Sequence, residues 1–469
     1  MSEDILYLSA SRLLSLYKSG ELSPVEVTRS VLSQVAELNP VINAFCVLDE
    51  DHAMRCAQAS EARWFQGKPM GLLDGVPASV KDLVLAKGWP TRRGSLTINP
   101  DQVWDEDGPP VARMREQGAI ILGKTTTPEF GWKGVTDSPL TGITRNPWNH
   151  EMTPGGSSGG AAAAAALGMG PLHLATDGGG SIRIPSAFCG VFGFKSTWGL
   201  VPVHPHSPAL TLWHQGPITR TVEDAALLQH VIARPDARDW YQTPMESIDY
   251  LAHLNSGIQG WRIAYTPDLG YAEVDPAVAA AIEQQLQVFK DLGAVVETID
   301  LKLDDPIAIM RPLWAVALAL AIEPMSAEQR ALVEPAMLEL AEPGFTLSAL
   351  DYRRLERERE KLGRQMNNLH ATYDLLITPQ MPITAFQAGY EVPPGGKRQR
   401  WWEWSPFTYP FNLTQQPTAT LPCGFVDGLP IAMQLVGAKF SDAKVLRAAR
   451  AYESKNPFVM PVATMKAND

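Results

Sequence analysis

Apolar residues recur at helical spacing in several stretches of the chain. In "SPVEVTRSVLSQVAELN", Val25, Val31, Leu32 and Val35 fall on one face of a helix. Ser23 stands before Pro24, and Glu26 follows three residues after Ser23, the signature of a capping box with proline in the first turn. Helices are also expected over residues 51–65, 161–167, 222–231, 276–292, 347–373 and 442–452. Between them lie short apolar segments, "GVPASVKD", "AIILGK", "RIAYTP", "VVETID", "LLITP" and "IAMQLVG", which read as strands. Strands alternating with helices predict an α/β chain whose sheet is layered α/β/α.

Composition narrows this picture. The 469 residues are 45% hydrophobic and 19% charged, which fits a soluble globular protein with a large core. A formal net charge of −11 argues against binding nucleic acid or an anionic membrane. The most apolar runs, "AAAAAALGMG" and "LWAVALALAI", fall short of the roughly 18–20 residues of a spanning helix, and the second reads as a core helix. The start, "MSEDILYLSASRLLS", has early acids and no basic region, so no secretory signal is expected and a cytoplasmic location is. Cys46, Cys56, Cys189 and Cys423 lack the paired spacing of a zinc site and read as reduced core thiols. "DYRRLERERE" reads as a solvated helix face. "PPGGKRQRWWEW", residues 393–404, reads either as a pocket lid or as a loop packed on the body.

The candidate chemistry lies in two glycine-serine clusters, "TPGGSSGG" and "DGGGSIRIPSAFCG". Neither supplies the lysine of a phosphate-binding loop, and Ser181 is not set in Gly-x-Ser-x-Gly. In "DGGGS", glycines let backbone N–H groups converge beside a serine, which is the chemistry of an oxyanion hole. Such a serine needs a base, either a histidine distant in sequence or a lysine held neutral by burial. His204 and His206 read as ordinary surface or loop histidines, while Lys81 lies in the apolar, small-residue segment "GVPASVKDL".

Together, "GVPASVKDL", "TPGGSSGG" and "TDGGGSIRIPSAFCGVFGFK" closely resemble the amidase signature family, whose hydrolases use a Ser-cisSer-Lys triad. The resemblance continues through "GKTTTPEF", "TRNPWN", "GPITRTVEDAALL", "YDLLITP" and "PFNLTQQPTATLPCGF", covering most of the chain from about residue 70 to 452, while residues 300–370 match little. It implies a three-layer α/β/α fold with a large mixed central sheet in one amidase domain, residues 1–469. Residues 1–65 would form an N-terminal helical segment, and 300–370 a variable helical insertion near the substrate pocket. It further implies Ser181 as nucleophile, Ser157 as the bridging cis-serine and Lys81 as base, with Gly178, Gly179 and Gly180 forming the oxyanion hole. Ser158, Asp177 and Arg183 would support these groups.

The chain departs from the family pattern at Gly178, where threonine or isoleucine is common, at Ala161 in place of serine and at Ser196 in place of proline. The implied activity is hydrolysis of an amide, anilide or carbamate through an acyl-enzyme, with no metal or organic cofactor, by a monomer or homodimer. Two alternatives share the resemblance: the A-type component of a glutamine-dependent tRNA amidotransferase, and an inactive scaffold. The former commonly reads Ile-Arg-Gln-Pro after the nucleophile, whereas this chain reads Ile-Arg-Ile-Pro. Trp401, Trp402, Trp404, Phe407 and Tyr409 are expected to form an aromatic wall or lid beside Ser181, because they follow Pro/Gly hinges.

Overall fold

The computed structural model describes residues 4–243 and 248–461. Eleven strands form one mixed sheet. From one edge its first half runs Phe45–Leu48, Ile120–Thr125, Pro77–Lys81, Leu172–Asp177, His214–Thr219 and Phe192–Lys195. The second half continues through Thr418–Val426, Leu429–Gly437, Leu375–Pro379, Arg262–Tyr265 and Val295–Thr298. Each of the six expected segments supplies a strand.

Period-two alternation explains why helices cover both faces. Leu375 and Ile377 join one core with Ile263, Met433 and Leu435, and Leu376 turns to the other with Ala264, Ala432 and Val436. The first core is closed by Val278, Ile282, Leu286 and Phe289 of helix Pro276–Asp291 and by helix Asp442–Lys455. The second is closed by Met310, Leu313, Trp314 and Leu318 of helix Ile307–Ile322. The same alternation sends Ile121 and Ile120 to opposite sides in the first half of the sheet.

Helix Pro24–Ile42 carries the expected capping box, with Glu26 N–H donating to Ser23 Oγ and Ser23 N–H donating to Glu26. Helix Gly159–Ala166 is buried all round, as its alanine run demands. Three expectations need correction. Helix Ala349–His370 is not wholly a solvated face: the buried Arg359 donates from Nε to Leu413 O at 2.5 Å and from Nη1 to Thr211 Oγ1 at 2.6 Å. Periodicity alone marks such an arginine as polar, although its apolar stem suits burial. All four cysteines are free, but only Cys189 and Cys423 are buried; Cys46 and Cys56 are partly exposed. Residues 401–404 form a buried single turn rather than an exposed loop. No helix among the described residues is long and apolar enough to cross a membrane.

Candidate active site

Strands Pro77–Lys81 and Leu172–Asp177 run parallel as neighbours, so Lys81 and Asp177 end at the same sheet edge. The carboxyl ends of parallel strands are where α/β sheets place their ligands, because the chain turns outward there into loops. Lys81 is fully buried; its Nζ donates to Ser158 Oγ at 2.8 Å and Thr176 Oγ1 at 3.0 Å and lies 2.7 Å from Ser157 Oγ. Burial holds the Lys81 amine well below its ordinary 10.5, and Asp177 opposes this only in part. Ser158 donates its own proton to Thr176 O at 3.1 Å. Its hydroxyl can therefore only accept from Lys81, whereas Ser157 keeps a proton to give.

The Gly156–Ser157 peptide bond is cis. Gly131, at φ +72°, lies beside Ser157: a Cβ there would meet Ser157 Oγ at 3.2 Å and Leu83 at 2.7 Å. Ser181 is nearly buried, and among the described residues its Oγ has no hydrogen bond, including none to Ser157. Contacts of this kind are often loose before substrate binds.

Asp177 sets the shape of the turn that carries Ser181. Its carboxylate accepts from Gly180 N–H at 2.8 Å and Ile182 N–H at 3.1 Å. It also pairs with both Nε and Nη2 of Arg183, at 2.9 and 3.0 Å. Burial alone would raise the Asp177 carboxyl, but Arg183 outweighs it and holds the group well below its ordinary value. All five Arg183 donors are satisfied, since Thr408 O, Gln434 Oε1 and Asn412 Oδ1 accept the remaining three. Gly180 sits at φ +130°, a backbone open to glycine, and a Cβ there would come within 2.6 Å of Thr408. Thr408 Oγ1 in turn donates to Gly179 O at 2.6 Å.

This arrangement revises the expected set of oxyanion donors. Gly180 N–H is already committed to Asp177. Among the described residues, the N–H groups of Gly178, Gly179 and Ser181 make no hydrogen bond to another protein group. Thr176, Thr408, Asn412 and Gln434 escaped the sequence reading as site residues. A signal existed for two of them in "SPFTYPFNLT", which holds Thr408 and Asn412, but nothing local ties that stretch to Asp177.

A solvent-open cleft reaches the turn through Trp213 and Trp314, whose rings lie beside Gly178, while Lys81, Ser157 and Ser181 are not among its lining residues. Its apolar wall includes Leu83, Phe130, Trp213, Trp314 and Leu318. A Cβ on Gly178 would lie 3.1 Å from the Trp314 ring and 3.6 Å from that of Trp213, so the family's common larger residue has no room here. Gln215 faces Thr176 across paired strands and is buried, with an Oε1 that has no partner.

The expected aromatic set divides. All five rings are buried in the second core, so they form no exposed lid. Trp401 alone of these meets the turn that carries Ser181, its ring 2.8 Å from a Cβ placed on Gly179 and edge-on to Trp314 at 5.9 Å. Trp404 stacks on Phe188 at 5.9 Å, Phe407 packs in the core, and Trp402 and Tyr409 line a different cleft with Tyr271. Aromatic clustering marks a buried site without saying which cavity each ring faces. His204 and His206 lie on a loop lining the main cleft, with Nε2 atoms 3.5 Å from Glu106 and 2.9 Å from Asp239. His214 is buried beside Asp177 and held well below its ordinary value by burial, and its Nδ1 contacts the carbonyls of Leu212 and Asp177.

Comparison with known proteins matches residues 26–446 to the amidase family model. The chain is 34% identical over 464 residues to an acylamidase from Rhodococcus erythropolis, covering 97% of each chain. It is 35% identical over 475 residues to the A-type component of the glutamyl-tRNA(Gln) amidotransferase of Symbiobacterium thermophilum, covering 95% of this chain and 96% of that one. Among solved structures, a bacterial aryl acylamidase of the amidase signature family superposes with a TM-score of 0.89 at 30% identity, covering 96% of each chain.

Proposed function

The chain belongs to the amidase signature family, and from that premise we propose that it hydrolyses amides through an acyl-enzyme formed on Ser181. It is an amidase, and the proposal concerns how and on what it acts. The observation that carries it is the environment of Lys81: a fully buried amine among three hydroxyls. Desolvation favours the neutral amine, which can then take a proton.

In this reading Ser157 passes its proton to Lys81 and draws the proton of Ser181 as Ser181 Oγ attacks the carbonyl. The free N–H groups of Gly178, Gly179 and Ser181 stabilise the oxyanion, and Ser157 then protonates the leaving amine. Water activated through the same pair releases the acyl group. Asp177 and Arg183 act as positioning residues by fixing the turn.

The cleft walled by Phe130, Trp213 and Trp314 favours substrates with an apolar or aryl part, and carbamates or esters of the same shape are further candidates. Helix Ile307–Ile322 supplies Trp314, Ala317, Leu318 and Ala321 to that wall, which supports a role for the segment 300–370 in substrate selection. Labelling by a fluorophosphonate, lost in Ser181→Ala, tests the nucleophile. A panel of aryl and alkyl amides tests the substrate class, and failure to label Ser181 or to hydrolyse any amide overturns the reading.

Likeness to the amidotransferase component supports a second reading, ammonia release from glutamine inside a complex. Ile184 weighs against it: its side chain packs against Gly134 and Gly155, and it offers no hydrogen bond where those proteins commonly carry glutamine. Glutaminase activity exceeding anilide hydrolysis would reverse this ranking.

A further inference from the structure

The main cleft carries one permanent charge. Arg93 lines it, and among the described residues no carboxylate does; Glu106 and Asp239 sit behind it against His204 and His206. Among the described residues the Arg93 side chain makes no hydrogen bond, ion pair or ring contact. A half-buried guanidinium with five donors and no partner is unusual, because such groups ordinarily find acceptors. Asp82, the nearest acid, is already engaged: it pairs with Lys124 at 3.1 Å and accepts from Arg92 N–H and Gly94 N–H at 3.2 and 3.3 Å.

The backbone holds Arg93 in place from both sides. Its N–H donates to Asp82 O at 3.1 Å, and its carbonyl accepts from Phe130 N–H at 2.7 Å. Both Arg93 and Phe130 stand at positive φ, +56° and +51°, a conformation uncommon outside glycine that marks positions fixed by their surroundings. Phe130 also lines the cleft, and the next residue, Gly131, abuts Ser157. A cation is thus tied through two residues to the centre proposed for the reaction. Burial draws its pKa down from the ordinary 12.5 and Asp82 raises it. A guanidinium stays protonated under ordinary conditions.

Resting on the amidase reading, we infer that Arg93 is a specificity-determining residue that pairs with a carboxylate at the far end of the apolar group filling the cleft. A guanidinium fork matches a carboxylate in two parallel hydrogen bonds. One cation among apolar walls suits a monoanion, since a dianion would bury surplus negative charge. The preferred substrates are amides whose acyl or amine part is apolar and ends in a carboxylate.

Calorimetric titration of the full chain with phenylbutyrate and with its neutral counterpart phenylbutanol tests this without turnover. Phenylbutyrate should bind about 10-fold more tightly, as a charge-assisted pair implies. The preference should weaken as ionic strength rises from about 0.05 to about 0.5 M, vanish in Arg93→Met and survive in part in Arg93→Lys. Equal affinities, no binding of either ligand, or a preference that outlasts Arg93→Met would overturn the inference. Should Arg93→Met fail to fold, the wild-type preference and its salt dependence decide.

In turnover, para-nitroanilides of glutaric and pentanoic acid probe the acyl side, and acetamidobenzoate against acetanilide probes the amine side. One pair should lose about 10-fold of its kcat/KM ratio in Arg93→Met, through KM of the carboxylate member. Hydrolysis without any carboxylate preference removes only this inference. Carboxylate binding without hydrolysis of any amide removes only the amidase mechanism.

Discussion

Arg183→Met offers a demanding test of how the turn carrying Ser181 is held. Both members of the Asp177–Arg183 pair are fully buried, and the side chain is held by five hydrogen bonds. Methionine fills much of the arginine stem's volume but leaves the buried Asp177 carboxylate without its ion-pair partner. Breaking a buried pair from one side costs about 3–5 kcal/mol. The orphaned Thr408, Gln434 and Asn412 acceptors add to that, so unfolding in urea should show a loss near the top of this range.

The pH dependence has a definite sign. In the wild type the Asp177 carboxyl is held below its ordinary 3.8, so the pair stabilises the fold above that pH and the contribution is lost as pH falls through the folded value. In Arg183→Met, burial is opposed only by Lys195 and the Asn412 hydrogen bond, and Asp177 moves up from its wild-type value, so the penalty is largest near neutrality and shrinks as acid protonates the group. Adding Asp177→Asn should recover part of the loss by removing the charge. Turnover should fall in the single variant beyond any effect of unfolding, because the Gly180 and Ile182 N–H bonds that shape the turn depend on a fixed carboxylate. A destabilisation below about 1 kcal/mol at neutral pH, or one that does not vary with pH, would refute the reasoning.

Other measurements address the remaining parts of the site. Ser181→Ala should abolish turnover, and Ser157→Ala or Lys81→Met should lower kcat by about 10²–10⁴-fold in steady-state assays, the span of general acid–base catalysis; folded variants with near-normal rates would remove the triad. Because burial holds Lys81 below 10.5 and its neutral form is the base, kcat/KM should rise with pH through the folded lysine value and then level off; a profile falling across the alkaline range contradicts this. Gly180→Ala forces a side chain into φ +130° against Thr408, so stability should drop by about 1–3 kcal/mol with a parallel loss of turnover; an unaltered protein would mean the turn relaxes freely. Trp314→Ala should raise KM for aryl amides while sparing acetamide-sized ones, and an equal effect on both would assign the ring to the core alone.

Local signals in the chain were enough for its elements and for the order of its chemistry. Ser23, Pro24 and Glu26 specify a helix start because capping acts over three residues, and alternation in "LLITP" and "IAMQLVG" specifies strands with two buried faces. The glycine-rich turn that carries Ser181 was legible too, since glycines and serines adjacent in sequence stay adjacent in space. What no local pattern carries is which distant groups meet. Arg183 finds Thr408, Asn412 and Gln434 only because sheet order brings strand Leu429–Gly437 and the segment before Thr418–Val426 against the turn. Burial of the Lys81 amine, the turn of all five expected aromatic rings away from the main cleft and the unpaired Arg93 within it are likewise tertiary facts. Each depends on desolvation and hydrogen-bond partners supplied by chain tens to hundreds of residues away, and these exist only once the sheet has closed its register.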